Sequence, residues 1–238
     1  MATLKSVMAQ LKAKGTEKTK AIYVRHGLPA DRTLGVSTGD MKTVAMSLKK
    51  EQALALELYD TGVLEAMYVA GLVASGAEMT RAQLNRWADG AAGMPMIYDY
   101  TVAWVALESA DPRALAMEWI ASKKEHVAAA GWRTYAGIVT VTPDDKLDLK
   151  EIEGLLKKVA EGIHRAPNGV RQPMNHFVIS VGGYVAPLSK KAVAAAKEIG
   201  EVEVDMGETA CKIPLAADYI AKMLARGKAG VKRKTIRC

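Results

Sequence analysis

Ala53-Leu-Ala-Leu-Glu57-Leu-Tyr59 is followed, after a turn, by Ala66-Met-Tyr-Val-Ala70-Gly-Leu-Val73. One double unit later, Ala114-Leu-Ala-Met-Glu118-Trp-Ile120 precedes Ala130-Gly-Trp132-Arg-Thr-Tyr-Ala136-Gly-Ile-Val139. Both stretches are rich in Ala and apolar at helical spacing. A repeat of this kind marks a stack of antiparallel helix pairs, because one pair cannot bury its apolar face alone. The expectation is an all-α chain, a curved superhelical array of antiparallel helix pairs, with function on its concave side.

Breaks place the pairs. Thr61-Gly62, Ser75-Gly76, Gly93-Met-Pro95, Asp111-Pro112, Pro143-Asp-Asp, Pro167-Asn-Gly169, Pro187 and Pro214 are turn or boundary signals. They leave helix pairs over 52–75, 80–108, 112–140, 148–183 and 188–226, a recurrence of about thirty residues that suits a two-helix unit. Before them, residues 1–20 read as a basic amphipathic helix broken at Gly15, and Ser37 or Thr38 reads as the N-cap of a helix over Met41–Lys50. Glu201-Val-Glu-Val-Asp205 alternates as a strand does, but stands alone and reads as an extended connection. No linker rich in Gly, Ser or Pro divides the chain, so a single domain over 1–238 is expected, ending in a basic tail over 227–238.

Composition narrows the function. Half of the 238 residues are hydrophobic, yet only 5% are aromatic, so the core must be built from Ala, Leu, Val, Ile and Met. No apolar run approaches the roughly 20 residues that span a bilayer, and the first twenty residues lack the apolar segment of a secretory signal. Two cysteines, Cys211 and Cys238, suit a reducing compartment, and a cytoplasmic monomer is expected. The net charge of +7 is unevenly spread. Residues 219–238 hold Lys222, Arg226, Lys228, Lys232, Arg233, Lys234 and Arg237 with no acid, and residues 1–25 hold five lysines and Arg25 against Glu17. The residues between are acidic on balance. Basic ends of this kind either grasp a polyanion or are solvated tails.

Motifs with catalytic associations mostly fail. Ile22-Tyr-Val-Arg25-His26-Gly27 looks like a phosphohistidine nucleophile, but that chemistry needs a parallel sheet and a second His followed by Gly. Asn175-His176-Phe-Val-Ile-Ser-Val-Gly182-Gly183 places its glycines too late, and the segment at 22–27 reads as an ordinary loop. The four histidines and two cysteines show no metal-ligand spacing, and no cofactor or metal is expected. No phosphate loop or nucleophile elbow is present. The aromatic residues Trp87, Tyr98, Tyr100, Trp104, Trp119, Trp132 and Tyr135 cluster mid-chain, either filling an Ala-rich core or lining a face that cradles a cationic base.

Several motifs carry a resemblance. Leu34-Gly-Val-Ser37-Thr-Gly-Asp40-Met-Lys42, Leu56-Glu-Leu-Tyr59-Asp60-Thr-Gly62 and Ala130-Gly-Trp132 are similar to the AlkD-like DNA alkylation-repair enzymes. So are Ala166-Pro-Asn168-Gly-Val170-Arg171-Gln-Pro-Met174-Asn175 and Val202-Glu-Val-Asp205-Met-Gly207-Glu208-Thr-Ala-Cys211-Lys212. The resemblance covers roughly residues 22–226 and implies HEAT-like repeats around alkylated double-stranded DNA. It further implies hydrolysis of the N-glycosidic bond of cationic bases such as 3-methyladenine and 7-methylguanine. A carboxylate with flanking aromatic rings stabilises the oxocarbenium-like sugar in that reaction. Carried over, the catalytic candidates are Asp99, Tyr100 and Trp104. Here the pattern departs from the family, since Trp104 stands where the family has its Asp. The DNA-binding candidates are Trp132, Arg133, Arg165, Arg171, His176, Lys212, Lys232, Arg233 and Lys234. Three readings stay open: a glycosylase for alkylated purines, a catalytically silent binder of damaged or distorted DNA, and a protein-interaction scaffold.

Overall fold

The computed structural model describes residues 2–48, 51–227 and 229–237. Lys50, at the end of one expected helix, and Lys228 and Cys238 of the expected tail lie outside the described residues. The chain divides into two compact units, Met1–Ala110 with Met206–Ala210, and Asp111–Asp205 with Cys211–Cys238. Among the described residues there is no strand, and no helix is long and apolar enough to cross a membrane.

In the first unit, α1 (Leu4–Lys14) and α2 (Glu17–Arg25) stand where the sequence reading places one helix and a loop. Gly15 does end α1. Thr16 then caps a new helix by accepting the Thr19 backbone N–H at 3.2 Å, with Glu17 in its first turn. Arg25 and His26 therefore close a helix, His26 Nδ1 lying 2.8 Å from the Ile22 carbonyl. Helix α3 (Thr38–Ser47) is capped by Ser37, whose Oγ accepts from Asp40 N at 3.1 Å. Then come α4 (Gln52–Asp60), α5 (Leu64–Val73), α6 (Arg81–Gly90), a π-helical stretch Ile97–Val102, and α7 (Ala103–Leu107). Thr80 and Gln83 form a reciprocal capping box at the start of α6.

Helix α5 is buried on almost every side, which is why its sequence shows no polar stripe. It packs on α3, α4 and the π stretch. Gly71 makes the last contact possible, since a Cβ there would fall 2.6 Å from Thr101 Cγ2. The buried Glu65 of α5 gathers the loop before α3. Its carboxylate accepts from the backbone N–H groups of Leu34, Gly35 and Val36, with Gly35 N closest at 2.7 Å. Tyr23 joins this region, donating to the Val36 carbonyl at 2.9 Å. Burial, with the Glu65 charge nearby, pushes its phenol up to about 12.

The second unit contains α8 (Pro112–Ile120), α9 (Glu125–Val141), α10 (Leu149–Gly162), α11 (Asn168–Tyr184), α12 (Ser189–Ile199) and α13 (Ala216–Ala225). Asp111 and Asp148 cap α8 and α10, and Pro112 occupies the first turn of α8, where its missing N–H costs nothing. The near-repeat of the sequence is thus α4–α5 in one unit and α8–α9 in the other. Helices α9 and α11 form the core of the second unit, each buried along most of its length, with α8 on α9 and with α12 and α13 on α11. Glu151 binds three elements together: it accepts a bidentate pair from Arg113 at 2.8 and 2.7 Å and the Tyr135 hydroxyl at 2.5 Å.

Glu201–Asp205 is an extended connection that forms no strand among the described residues. Side chains from the start of α11 bond its main chain at Glu203 and Asp205 instead. Asn168 donates to Asp205 O at 2.9 Å and accepts from Asp205 N at 2.8 Å, while Arg171 donates to Glu203 O at 3.0 Å. Two motifs that carry the family resemblance are therefore one structural joint.

Candidate nucleic-acid interface

The catalytic candidates lie in the first unit, where the π stretch runs into α7. A π turn bonds i to i+5 and widens the helix by one residue, a device often found at functional sites. Asp99 lies within it at 7% exposure, Trp104 follows at 2%, and Tyr100 is open at 37%. The ring of Trp104 is held between Tyr68, edge-on at 5.3 Å between centroids, and Tyr100 at 5.9 Å. The structure thus brings Tyr100 and Trp104 together and sets Asp99 in the same turn, but presents only Tyr100 to solvent. Trp87 stacks on Tyr59 at 4.0 Å and accepts its hydroxyl, a core pair whose burial raises the Tyr59 pKa.

The DNA-binding candidates belong to the second unit and separate into three groups. Trp132 is core, tilted against Phe177 at 5.3 Å, and Tyr135 meets the same ring edge-on. Arg171 is held by the Ala166 and Glu203 carbonyls, Arg165 donates to Glu161 O at 2.7 Å, and Lys212 pairs with Glu201 at 3.4 Å. Of these, Arg165 and Lys212 remain exposed.

The third group gathers around His176. On α11, Phe177 enters the core between Trp132 and Tyr135, so its predecessor His176 turns away from that core. Solvent reaches the imidazole, yet protein surrounds it on most sides. That enclosure, then the positive charges of Arg133 on α9 and Arg233 from the carboxy-terminal segment, hold its pKa well below the usual imidazole range. Arg133 lies on α9, and Arg233 is set near the end of the same helix by the bond from its backbone N–H to the Thr140 carbonyl. Lys234 lies exposed just beyond. Lys232 differs: its ammonium is 2.7 Å from Asp144 Oδ1 and donates to the Val139 carbonyl at 2.9 Å, with 16% of its side chain exposed.

The convergence of Arg133, His176 and Arg233, and the Lys232–Asp144 anchor, were not legible in the sequence. Lys232 and Val139 are 93 positions apart, and the charges of the basic run look alike until the fold separates them. Pro143-Asp-Asp registers in the sequence only as a break. Among the described residues no three His, Cys, Asp or Glu side chains gather as a metal-binding group.

Helix pairs, an all-helical core in each unit and the absence of strands among the described residues define a helical-repeat protein of HEAT-like type. The family model for the DNA alkylation repair enzyme matches residues 7–210, and the chain belongs to that family. A solved structure from a family described as related to the HEAT-like repeat DNA glycosylases, with affinity for branched DNA structures, superposes with a TM-score of 0.90. It is 39% identical and covers 100% of both chains. Two uncharacterized proteins are each 29% identical. Lin0241 of Listeria innocua aligns over 93% of this chain and 97% of its own length, and Lmo0209 of Listeria monocytogenes over 96% and 100%.

Proposed function

We propose that this protein binds DNA, and branched or distorted DNA in preference to plain duplex, without hydrolysing the glycosidic bond. The observation that carries the reading is the docking of the basic carboxy-terminal segment on the ends of α9 and α11, which fixes the exposed Arg233 there as a donor for a phosphodiester. The similarity to a solved structure whose family is described as having affinity for branched DNA supports the choice of substrate. The burial of Asp99 and Trp104 argues against hydrolysis, because a carboxylate must face the sugar to stabilise an oxocarbenium ion. Such a protein would work at the nucleoid.

The test is retention of labelled four-way junction, three-way junction and linear duplex of matched sequence in a gel-shift titration. Tighter retention of the junctions supports the proposal. Equal retention of all three removes the preference, and none at low salt removes DNA binding. Membership of an alkylation-repair family favours a second reading, a glycosylase for alkylated purines, with Tyr100 at the mouth of the site. Release of 7-methylguanine from methylated duplex, abolished by Asp99→Asn, would establish that reading in place of the first.

A further inference from the structure

The segment after α13 is docked onto the second unit. Gly230 N donates to the Gly183 carbonyl near the end of α11 at 2.9 Å, and Arg233 N donates to Thr140 O near the end of α9 at 3.0 Å. Between them Lys232 pairs with Asp144, just past α9, and donates to Val139 O within its last turn. An ammonium there meets both an acid and the negative end of the helix dipole. Gly230 has φ of +71°, and a Cβ at this position would come within 3.1 Å of Ala186 Cβ, so the approach is close as well as bonded. Adjacent residues of the strap then have opposite fates. The Lys232 charge is answered internally by Asp144, whereas Arg233 is exposed and held at the end of α9, the helix that carries Arg133 and packs through Trp132 on Phe177, the neighbour of His176.

We propose that residues 230–233 are a structural strap in which Lys232 is the anchor and Arg233 the ligand, so that Arg233, Arg133 and His176 together form one phosphodiester seat. The seat presupposes the DNA-binding reading above and adds which part of the basic carboxy-terminal run touches the backbone and what sets it in place. A guanidinium suits the role, because its fork of donors matches phosphate oxygens. Lys232 acts through position alone, as a positioning residue.

The experiment compares the full chain with Arg233→Ala, Lys232→Met, Asp144→Asn and, as a surface control, Lys157→Ala on α10. Affinity for a labelled four-way junction is measured from 50 to 200 mM salt. Arg233→Ala is expected to weaken binding about tenfold and to reduce the log–log salt slope by about one. Lys232→Met and Asp144→Asn are expected to follow it in direction, and Lys157→Ala to match the parent. In parallel, the His176 imidazole is titrated by NMR without DNA. Its pKa should rise toward the ordinary value near 6.5 in Arg233→Ala and in both anchor variants.

Junction binding and His176 titration that are both unchanged in Lys232→Met and Asp144→Asn would overturn the strap while leaving DNA binding intact. If the parent retains no DNA, the DNA reading falls, and inorganic phosphate decides the seat. A phosphate-induced rise of the His176 pKa that is lost in Arg233→Ala keeps it as an anion site, and no rise in the parent ends it.

Discussion

Glu65 shows how much one side chain can organise. Three backbone N–H groups of the loop before α3 converge on its buried carboxylate, and each donor orphaned in a core costs about 1–3 kcal/mol. Glu65→Ala should therefore lower the unfolding free energy by about 3–5 kcal/mol. Urea denaturation checks this, and a change below about 1 kcal/mol would show that the loop holds without the carboxylate. His176 makes the opposite kind of contribution. Its folded pKa is depressed, so below the unfolded value near 6.5 the unfolded chain binds the extra proton. Stability must then fall as pH drops below that value. Thermal melts between pH 7.5 and 5.5 should show a smaller loss in His176→Asn than in the parent; parallel losses would mean that His176 titrates normally. Neither residue was readable as it stands. Glu65 sits in an apolar run where a solvated charge would be the ordinary reading, and His176 acquires its neighbours only when α9 and the strap meet α11.

At the scale of the element, the helix pairs were legible because their signals are local. Ser37 caps α3 as its sequence suggests, the breaks at Thr61-Gly62, Ser75-Gly76 and Asp111-Pro112 fall at helix boundaries, and apolar spacing fixes the buried face. Helix α2 escaped because Gly15 reads as an end, and the N-cap at Thr16 that restarts the helix lies directly behind it. The π stretch escaped for a different reason. Its i to i+5 bonding belongs to a packing arrangement with Thr101 pressed on Gly71, and nothing in Ile97–Val102 alone distinguishes it from an α turn. Two glycine substitutions separate packing from propensity. Gly71→Ala forces a methyl to within 2.6 Å of Thr101 Cγ2 and should cost about 1–3 kcal/mol. It should also perturb the near-ultraviolet signal of the Tyr68–Trp104–Tyr100 rings. Gly154→Ala, on the exposed face of α10 with nothing within 4 Å, should instead stabilise by about 0.5–1 kcal/mol. Equal effects at the two sites would deny α5 its close contact.

For the whole molecule, the uneven charge is the property that the sequence shows most directly and explains least. Seven cations crowd into residues 219–238, and a sequence alone leaves them as either tail or grip. The structure divides them by environment: Lys232 is answered by Asp144, Arg233 joins the His176 cluster, and Lys234 stands in solvent. A truncation ending at Arg226 discriminates between a docked strap and a loose tail through two readouts at once. A loose tail would contribute to DNA retention and nothing to folding. A docked strap contributes to both, because its removal also strips the Lys232–Asp144 pair and the main-chain bonds to Gly183 and Thr140. The truncated chain should therefore lose junction affinity, show a shallower salt dependence, and melt lower by about 2–4 °C for each kcal/mol of docking lost. Unchanged melting with weakened binding would return the segment to the status of a solvated polycation, and unchanged binding would leave the grip on DNA to Arg133 and the remaining basic side chains.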